Sequence, residues 1–117
     1  MNMENLKNYI ESIISSTDWN VSFYDKGNNA FYVCFQIYTS AGRDLNVEIE
    51  LPDDAGEDEL SQKLTEYDEG FDVSYETYIW LDSFGHGKNG APHELEDVLN
   101  DTKEAKRLIE ELAESFA

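Results

Sequence analysis

Glycines at a regular spacing give the first candidate for chemistry in this sequence. Gly85-x-Gly87-x-x-Gly90 precedes a predicted helix, and in phosphate-binding loops such glycines let backbone N–H groups and a helix N-terminus face an anion. A dinucleotide-binding unit also needs a second strand after that helix. No second strand follows here, and Lys88 precedes Asn89 rather than the Ser or Thr of a Walker A loop. We therefore expect a tight connector between helices, not a dinucleotide site.

The two histidines of the chain lie in or next to this loop. His86 and His93 have Asp82, Glu94 and Asp97 nearby in sequence, and imidazole and carboxylate groups are common metal ligands. The histidines are seven residues apart, which matches no compact pattern such as the i, i+4 pair on one helical turn. The sequence therefore predicts surface histidines, with no metal and no other cofactor.

No arrangement of residues in the sequence predicts catalysis. Cys34, the single cysteine, lies in an apolar run with no histidine nearby, so we expect a buried or sheet-facing thiol rather than a nucleophile. With 26 Asp and Glu residues, paired carboxylates are uninformative, because any fold brings some of them together. We therefore expect a non-enzymatic protein without catalytic residues. His86, Lys88 and Asn89 are instead candidate contacts to a partner, since binding residues often lie on loops.

Acidity is the dominant property of the chain. Its 26 Asp and Glu residues against 8 Lys and Arg residues give a formal net charge of −18, and residues 44–82 hold fourteen acids and one base. A surface of this sign repels nucleic acid and anionic membranes and attracts basic proteins. We expect a basic protein partner, no direct nucleic-acid binding and no membrane association. The start of the chain lacks the pattern of a signal peptide, which favours a cytoplasmic location.

The densest acidic stretch, "NVEIELPDDAGEDELSQKLTEYDEGFD", is the strongest candidate for a binding site. Duplex DNA presents one negative charge per roughly 1.7 Å of axis, so carboxylates at similar density can occupy the DNA-binding groove of another protein. The alternative is that these acids are solvated and serve only solubility. The residues of this candidate acidic surface are Glu48, Glu50, Asp53, Asp54, Glu57, Asp58, Glu59, Glu66, Asp68, Glu69 and Asp72.

Apolar periodicity predicts an α+β fold in a single domain over residues 1–117. Apolar residues at helical spacing predict an N-terminal helix over residues 3–15. Strict alternation then predicts a three-stranded antiparallel meander over residues 19–24, 31–38 and 45–51, with short turns between the strands. Pro52 ends the sheet, and Asp53 or Asp54 can cap a second helix that stops at Gly70. The fold therefore begins with a helix and a sheet and continues with two or three helices.

The sequence after Gly70 predicts helices, with one ambiguous segment. Residues 71–83 alternate as in a strand, yet Asp72 or Ser74 can cap a short helix and Tyr75, Tyr78 and Ile79 have helical spacing. A long C-terminal helix starts near Pro92 and is either continuous or broken near residues 100–101. The predicted inner face of this last helix is Leu95, Val98, Thr102, Ala105, Ile109, Leu112 and Phe116.

One face of the predicted sheet is polar and aromatic, and it gives a second candidate for recognition. Helices are expected to cover the apolar face, which leaves Tyr24, Tyr32 and Tyr38 beside Cys34, polar side chains and acids on the other. Tyrosines supply contact area in protein interfaces, so this tyrosine face can bind a partner. It can equally be an ordinary solvated face with cross-strand aromatic pairs.

Residues 64–116 carry a resemblance to a group of proteins. Its features are Phe71-Asp72-Val73, the segment around Trp80, the loop that ends in Gly90-x-Pro92, and the acidic last helix. With these features the chain resembles small acidic proteins encoded by bacteriophages and conjugative elements, in which the segment before the loop usually reads as helix. Such elements encode antirestriction and anti-CRISPR inhibitors that imitate DNA. The resemblance therefore implies a context for the charge, in which a DNA-mimic inhibitor is the leading hypothesis. The alternative is a small adaptor that binds through the tyrosine face or the last helix.

Overall fold

The computed structural model describes residues 2–88 and 92–117, and it has the predicted α+β architecture. An N-terminal helix is followed by a three-stranded antiparallel sheet and by three helices, of which the last is long. Residues 71–83 contain a helix rather than a strand, which settles the ambiguity of that segment. The elements are α1 (Met3–Ile14), β1 (Asn20–Gly27), β2 (Ala30–Tyr38), β3 (Asp44–Pro52), α2 (Glu57–Gly70), α3 (Val73–Trp80) and α4 (Leu95–Ser115).

The sheet is a meander in the order β1-β2-β3. Its first turn is built from Asn28 and Asn29, whose φ angles are 55° and 62°. Two consecutive residues with positive φ give a turn whose twist matches that of the flanking strands, and asparagine tolerates this conformation best after glycine. The register that results places Val33 opposite Phe23 on β1 and opposite Ile49 on β3. Apolar side chains of all three strands therefore share one face.

Helices α1, α2 and α4 pack on this apolar face. The ring of Phe35 on β2 lies 5.7 Å from that of Phe116, and Phe116 lies 6.0 Å from Tyr9 on α1, measured between ring centroids. Aromatic rings at such separations and tilted angles pack favourably. The largest fully buried side chains are Leu6, Ile10, Phe31, Val33, Phe35, Val47, Leu51, Leu60, Leu64, Val98, Ile109 and Leu112. One hydrophobic core thus joins both ends of the described chain to the sheet.

Two helix starts differ from the predicted ones. Helix α4 begins at Leu95 rather than at Pro92, and it runs without a break to Ser115. Leu95 is 53% exposed, because the first residue of α4 lies outside the part that covers the core. Helix α2 has Gly56 as its N-cap, with no side-chain capping bond. The N–H of Asp53 donates to the carbonyl of Asn29 in the first turn, so this residue belongs to the end of the sheet and not to the helix.

A buried arginine connects the sheet to the last two helices. The Arg43 side chain, just before β3, is only 8% exposed. Its guanidinium lies 3.5 Å from the buried carboxylate of Asp101 on α4 and 4.0 Å from that of Glu76 on α3. Its central carbon lies 4.4 Å from the ring centroid of Trp80, within the range of a cation–π interaction. Arg43 therefore fixes α3 and α4 relative to the turn between β2 and β3.

No helix among the described residues is both long and apolar enough to cross a membrane. The longest, α4, carries acidic and basic residues along its outward side, and its inner side belongs to the core. Its apolar stripe is thus accounted for by packing on the sheet.

Substitution of Arg43 by methionine should destabilise the protein strongly. Arg43→Met leaves the Asp101 carboxylate buried without its cation, and removal of one partner of a buried ion pair typically costs about 3–5 kcal/mol. The free energy of unfolding from urea titration followed by circular dichroism measures this loss. The control is Arg107→Met, because Arg107 is exposed and its pairs with Glu104 and Glu111 lie on the surface of α4. Equal effects of the two substitutions would contradict the role of Arg43.

Candidate functional site

The outward side of α2 is a stripe of carboxylates. Leu60 and Leu64 are the buried residues of this helix and fix which side faces the core. At 3.6 residues per turn, the acids of its other side fall within a sector of about 100° centred opposite these leucines. All four are exposed, and they are Asp58, Glu59, Glu66 and Glu69. Burial of two leucines therefore forces four negative charges into solvent on one side.

The other residues of the acidic surface lie outside this stripe, and Glu48 and Glu50 stand opposite Cys34 and Tyr32 on the tyrosine face of the sheet. Glu48 and Glu50 are exposed on β3, where they alternate with buried Val47 and Ile49. Among the remaining acids, Asp54, Glu57 and Asp72 are exposed, and Asp53 and Asp68 are half-buried. Asp72 is the N-cap of α3, since its carboxylate accepts a hydrogen bond of 3.1 Å from the N–H of Tyr75. Asp72 therefore has a structural role as well as a charge.

Few of these acids are neutralised by a neighbour. Within the described ranges only two of the eleven form ion pairs, namely Glu50 with Lys26 and Asp68 with Lys106. The hydrogen bond from Lys26 holds the pKa of Glu50 below its usual value. Lys106 on α4 also reaches the backbone carbonyl of Asp68, so that pair ties α4 to the end of α2. The other nine carboxylates form no ion pair in these ranges, and they leave a strong negative field around α2 and β3.

The shape of the molecule allows a comparison with DNA. Its principal extents are 49 × 30 × 21 Å, so it is elongated. A duplex of the same length carries about 29 phosphates, at one per roughly 1.7 Å. The net charge of −18 along 49 Å corresponds to one charge per about 2.7 Å, roughly two-thirds of the density of DNA. The net charge of the whole chain, taken along its longest dimension, is thus of the same order as the linear charge density of a duplex.

The tyrosine face of the sheet is open to solvent. Tyr24 and Tyr38 are 54% and 66% exposed, whereas Tyr32 is half-buried with the ammonium of Lys26 at 5.7 Å from its ring centroid. Cys34 lies on the same face, and burial together with nearby carboxylates raises the pKa of its thiol. A raised pKa lowers the thiolate fraction and hence the reactivity of a cysteine. This face therefore offers contact area rather than a nucleophile.

Helix α3 exposes aromatic residues that sequence reasoning did not select as a site. Tyr75 and Tyr78 are 60% and 74% exposed, and Ile79 lies beside them in the outward side of the helix. The helical spacing of these residues is typical of a buried helix face. The buried side of α3 is instead formed around Thr77 and Trp80, and Trp80 contacts Arg43 near the end of the sheet. The indirect signal was Arg43 itself, the only basic residue between Lys26 and Lys63. Its burial with Asp101 and its contact with Trp80 are visible only in the structure.

The connector between α3 and α4 is described for residues 81–88 and 92–94, and in it Leu81 pairs with Gly87 in an antiparallel bridge. Asn89, Gly90 and Ala91 lie outside the described residues. The carboxylate of Asp82 accepts hydrogen bonds from the N–H groups of Phe84 and His86, and these bonds lower its pKa. Gly87 is buried, and a Cβ at this position would lie 1.9 Å from the carbonyl oxygen of Pro92. The glycine is thus required by close packing of two backbone segments.

Phosphate binding by this loop is disfavoured by its electrostatics. Helix α4 has Glu94 as its N-cap, and its first turn contains Glu96 and Asp97. Carboxylates occupy the positive end of the helix dipole, where a phosphate would otherwise bind. Lys88 is exposed and His86 is half-buried, so the loop residues predicted to contact a partner differ in accessibility.

Comparison with protein-family models, with curated proteins and with solved structures finds no match to this chain. The predicted acids of β3 and α2 follow one another along adjoining elements, and the tyrosines share one sheet face. His86 and Lys88 lie on a separate loop after α3.

Gly87→Ala should destabilise the connector and with it the protein. The new methyl group overlaps the carbonyl of Pro92 and approaches the Val98 side chain to 3.2 Å, and overpacking of this kind typically costs about 1–3 kcal/mol. Thermal unfolding followed by circular dichroism measures the effect. Gly70→Ala is the matched control, because a Cβ there meets nothing within 4 Å. An unchanged melting temperature of Gly87→Ala would contradict the close packing described here.

Proposed function

We propose that this protein is a non-enzymatic DNA-mimic inhibitor that is encoded by a mobile genetic element and is of the antirestriction or anti-CRISPR type. It binds the DNA-binding groove of a basic, nucleic-acid-binding protein through the acidic surface. The observation that carries the proposal is the group of nine carboxylates on and around α2 and β3 without an ion pair in the described ranges. Its resemblance to small acidic proteins of phages and conjugative elements supports the same interpretation.

Electrostatic attraction makes the association of such an inhibitor with its target fast. Complementary potentials raise association rate constants well above those of neutral surfaces, and the gain falls as salt screens the charges. The groove of a DNA-binding protein is already arranged to neutralise phosphates with lysine and arginine. Carboxylates on the outward side of α2 can accept hydrogen bonds from the same side chains, and Arg–carboxylate pairs can be bidentate.

Charge alone does not make a tight complex, because exposed ion pairs contribute about 0–1 kcal/mol each. Interfaces usually also bury a few aromatic anchors. Tyr75 and Tyr78 are suitable, since they are exposed on α3, which begins directly after Asp72, the last acid of the surface. The proposed interface therefore combines the acids of α2 and β3 with the aromatic side of α3.

A competition experiment with two matched variants tests the proposal. A labelled duplex is bound to each of a panel of purified restriction endonucleases and RNA-guided nucleases, and its release by this protein is followed by fluorescence anisotropy. The first variant neutralises the outward side of α2, with Asp58→Asn, Glu59→Gln, Glu66→Gln and Glu69→Gln. The control neutralises four exposed acids of α1 and α4, with Glu4→Gln, Glu11→Gln, Glu96→Gln and Glu114→Gln. Both variants change the net charge equally.

The wild-type protein should release the duplex at about 50 mM salt and much less at about 300 mM, because the Debye length falls from about 14 Å to about 6 Å. Neutralisation of α2 should weaken inhibition about tenfold or more, since four exposed charge contacts together contribute a few kcal/mol at most. The control variant should lose much less. Equal losses in the two variants would show that net charge rather than the acidic surface drives release, and no release from any nuclease at low salt would overturn the proposal.

The second candidate function is a small adaptor that binds a protein through the tyrosine face, and the exposure of Tyr24 and Tyr38 favours it. Contacts made by tyrosine depend little on salt, because they bury area rather than pair charges. If this function is the correct one, Tyr24→Ala with Tyr38→Ala should abolish binding to a partner, whereas neutralisation of α2 should leave it intact. The opposite pattern supports the DNA mimic.

A further inference from the structure

The connector brings two imidazole rings and a carboxylate together, away from the acidic surface. The rings of His86 and His93 stack with centroids 4.6 Å apart and planes within 4° of parallel. One ligand atom from each of His86, His93 and Glu94 lies within 4.8 Å of the others. Tetrahedral zinc holds nitrogen ligands at about 2.0–2.1 Å, which places them roughly 3.4 Å apart. The three ligand atoms are therefore up to about 1.4 Å farther apart than a tetrahedral ion requires, so binding needs a rearrangement of their side chains.

Backbone contacts hold the two histidines near each other. The N–H of Gly87, next to His86, donates to the carbonyl of His93. The missing Cβ at Gly87 permits the approach of Pro92, next to His93. The N–H of His86 is also held by the Asp82 carboxylate, at 3.1 Å. The separation of seven residues in sequence is therefore irrelevant to their geometry, because the connector doubles back on itself.

The three side chains are available as ligands. The Nδ1 atom of His86 is buried and has no hydrogen-bond partner among the described residues, although a buried polar atom normally has one. Glu94 is the N-cap of α4 but makes no side-chain capping bond, so its carboxylate is not used by the helix. His93 and Glu94 are exposed and can rotate. A shared ion requires the His93 ring to turn out of the stack so that its nitrogen lone pair points at the same place as that of His86.

We infer that His86, His93 and Glu94 bind one zinc ion, with the fourth coordination position left to water or to a partner. Two imidazoles and one carboxylate form a donor set found in zinc sites that keep an open position. Imidazole favours zinc over magnesium and calcium, which prefer oxygen ligands. The bound ion links the middle of the connector to the start of α4. This inference is independent of the acidic surface and departs from the sequence-based expectation of no metal.

Isothermal titration with Zn²⁺ tests the site, in buffer that contains excess Mg²⁺ to occupy weak sites among the other carboxylates. The wild-type protein should bind one Zn²⁺ per chain. His93→Ala should weaken this binding by more than about tenfold, because the loss of even an outer-shell partner of a metal ligand typically costs 10–100-fold. Glu94→Gln should also weaken it. The control is Glu96→Gln, which removes an exposed acid from the first turn of α4, outside the three ligands, and should leave the affinity unchanged.

Two further measurements separate ligation from folding. Zn²⁺ should raise the melting temperature of the wild-type protein but not that of His93→Ala, because only a ligand that binds the native state stabilises it. Co²⁺ in place of zinc should give visible absorption bands that His93→Ala and His86→Ala both alter. The inference is overturned if the wild-type protein shows no binding at one equivalent, or if the double variant His86→Ala with His93→Ala binds Zn²⁺ as tightly as the wild type.

Discussion

The buried guanidinium of Arg43 is the interaction on which the arrangement of the helices depends. A three-stranded sheet with one apolar face can be covered by helices in several orientations, since hydrophobic contact is not directional. Arg43 removes that freedom, because a buried cation has to meet its carboxylate and its aromatic neighbour at defined distances. Asp101 then sets the position of α4 along the sheet, and Trp80 sets the rotation of α3. The outward direction of Tyr75 and Tyr78 follows from that rotation.

The same arrangement explains why the acidic surface stays negative. The chain has 8 basic residues, and several of them are used inside or at the edge of the core. Arg43 is buried with Asp101, the ammonium of Lys7 lies 5.4 Å from the Phe23 ring centroid, and Lys106 pairs with Asp68 at the end of α2. Lys63 is the only base within α2 itself. The fold therefore directs its cations away from the outward side of α2, and the carboxylates there face water unpaired.

Local patterns allowed the strands and helices to be predicted, and tertiary contacts decided the rest. Alternation and the two asparagines of the first turn act within a few residues, so the meander was predictable. The exposed aromatic side of α3 was not, because its spacing fits an inner or an outer face and only Arg43 selects between them. The start of α4 and the meeting of His86 with His93 depend on Gly87 packing against Pro92, a contact that no periodicity encodes. The exposure of the acids on α2 was predictable, because the helical spacing of Leu60 and Leu64 determines which side of the helix faces water.

The concentration of charge is itself an argument about function. Like charges repel in inverse proportion to their distance, so fourteen acids in residues 44–82 destabilise the folded state more than the same number spread over the chain. Solubility requires net charge but not clustering, and a dispersed arrangement would supply it with less repulsion. A basic groove relieves the repulsion when it binds, so part of the unfavourable energy stored in the free protein becomes a driving force for association. Under the proposed function, a cationic partner accounts for the clustering on α2 and β3, which solubility alone does not require.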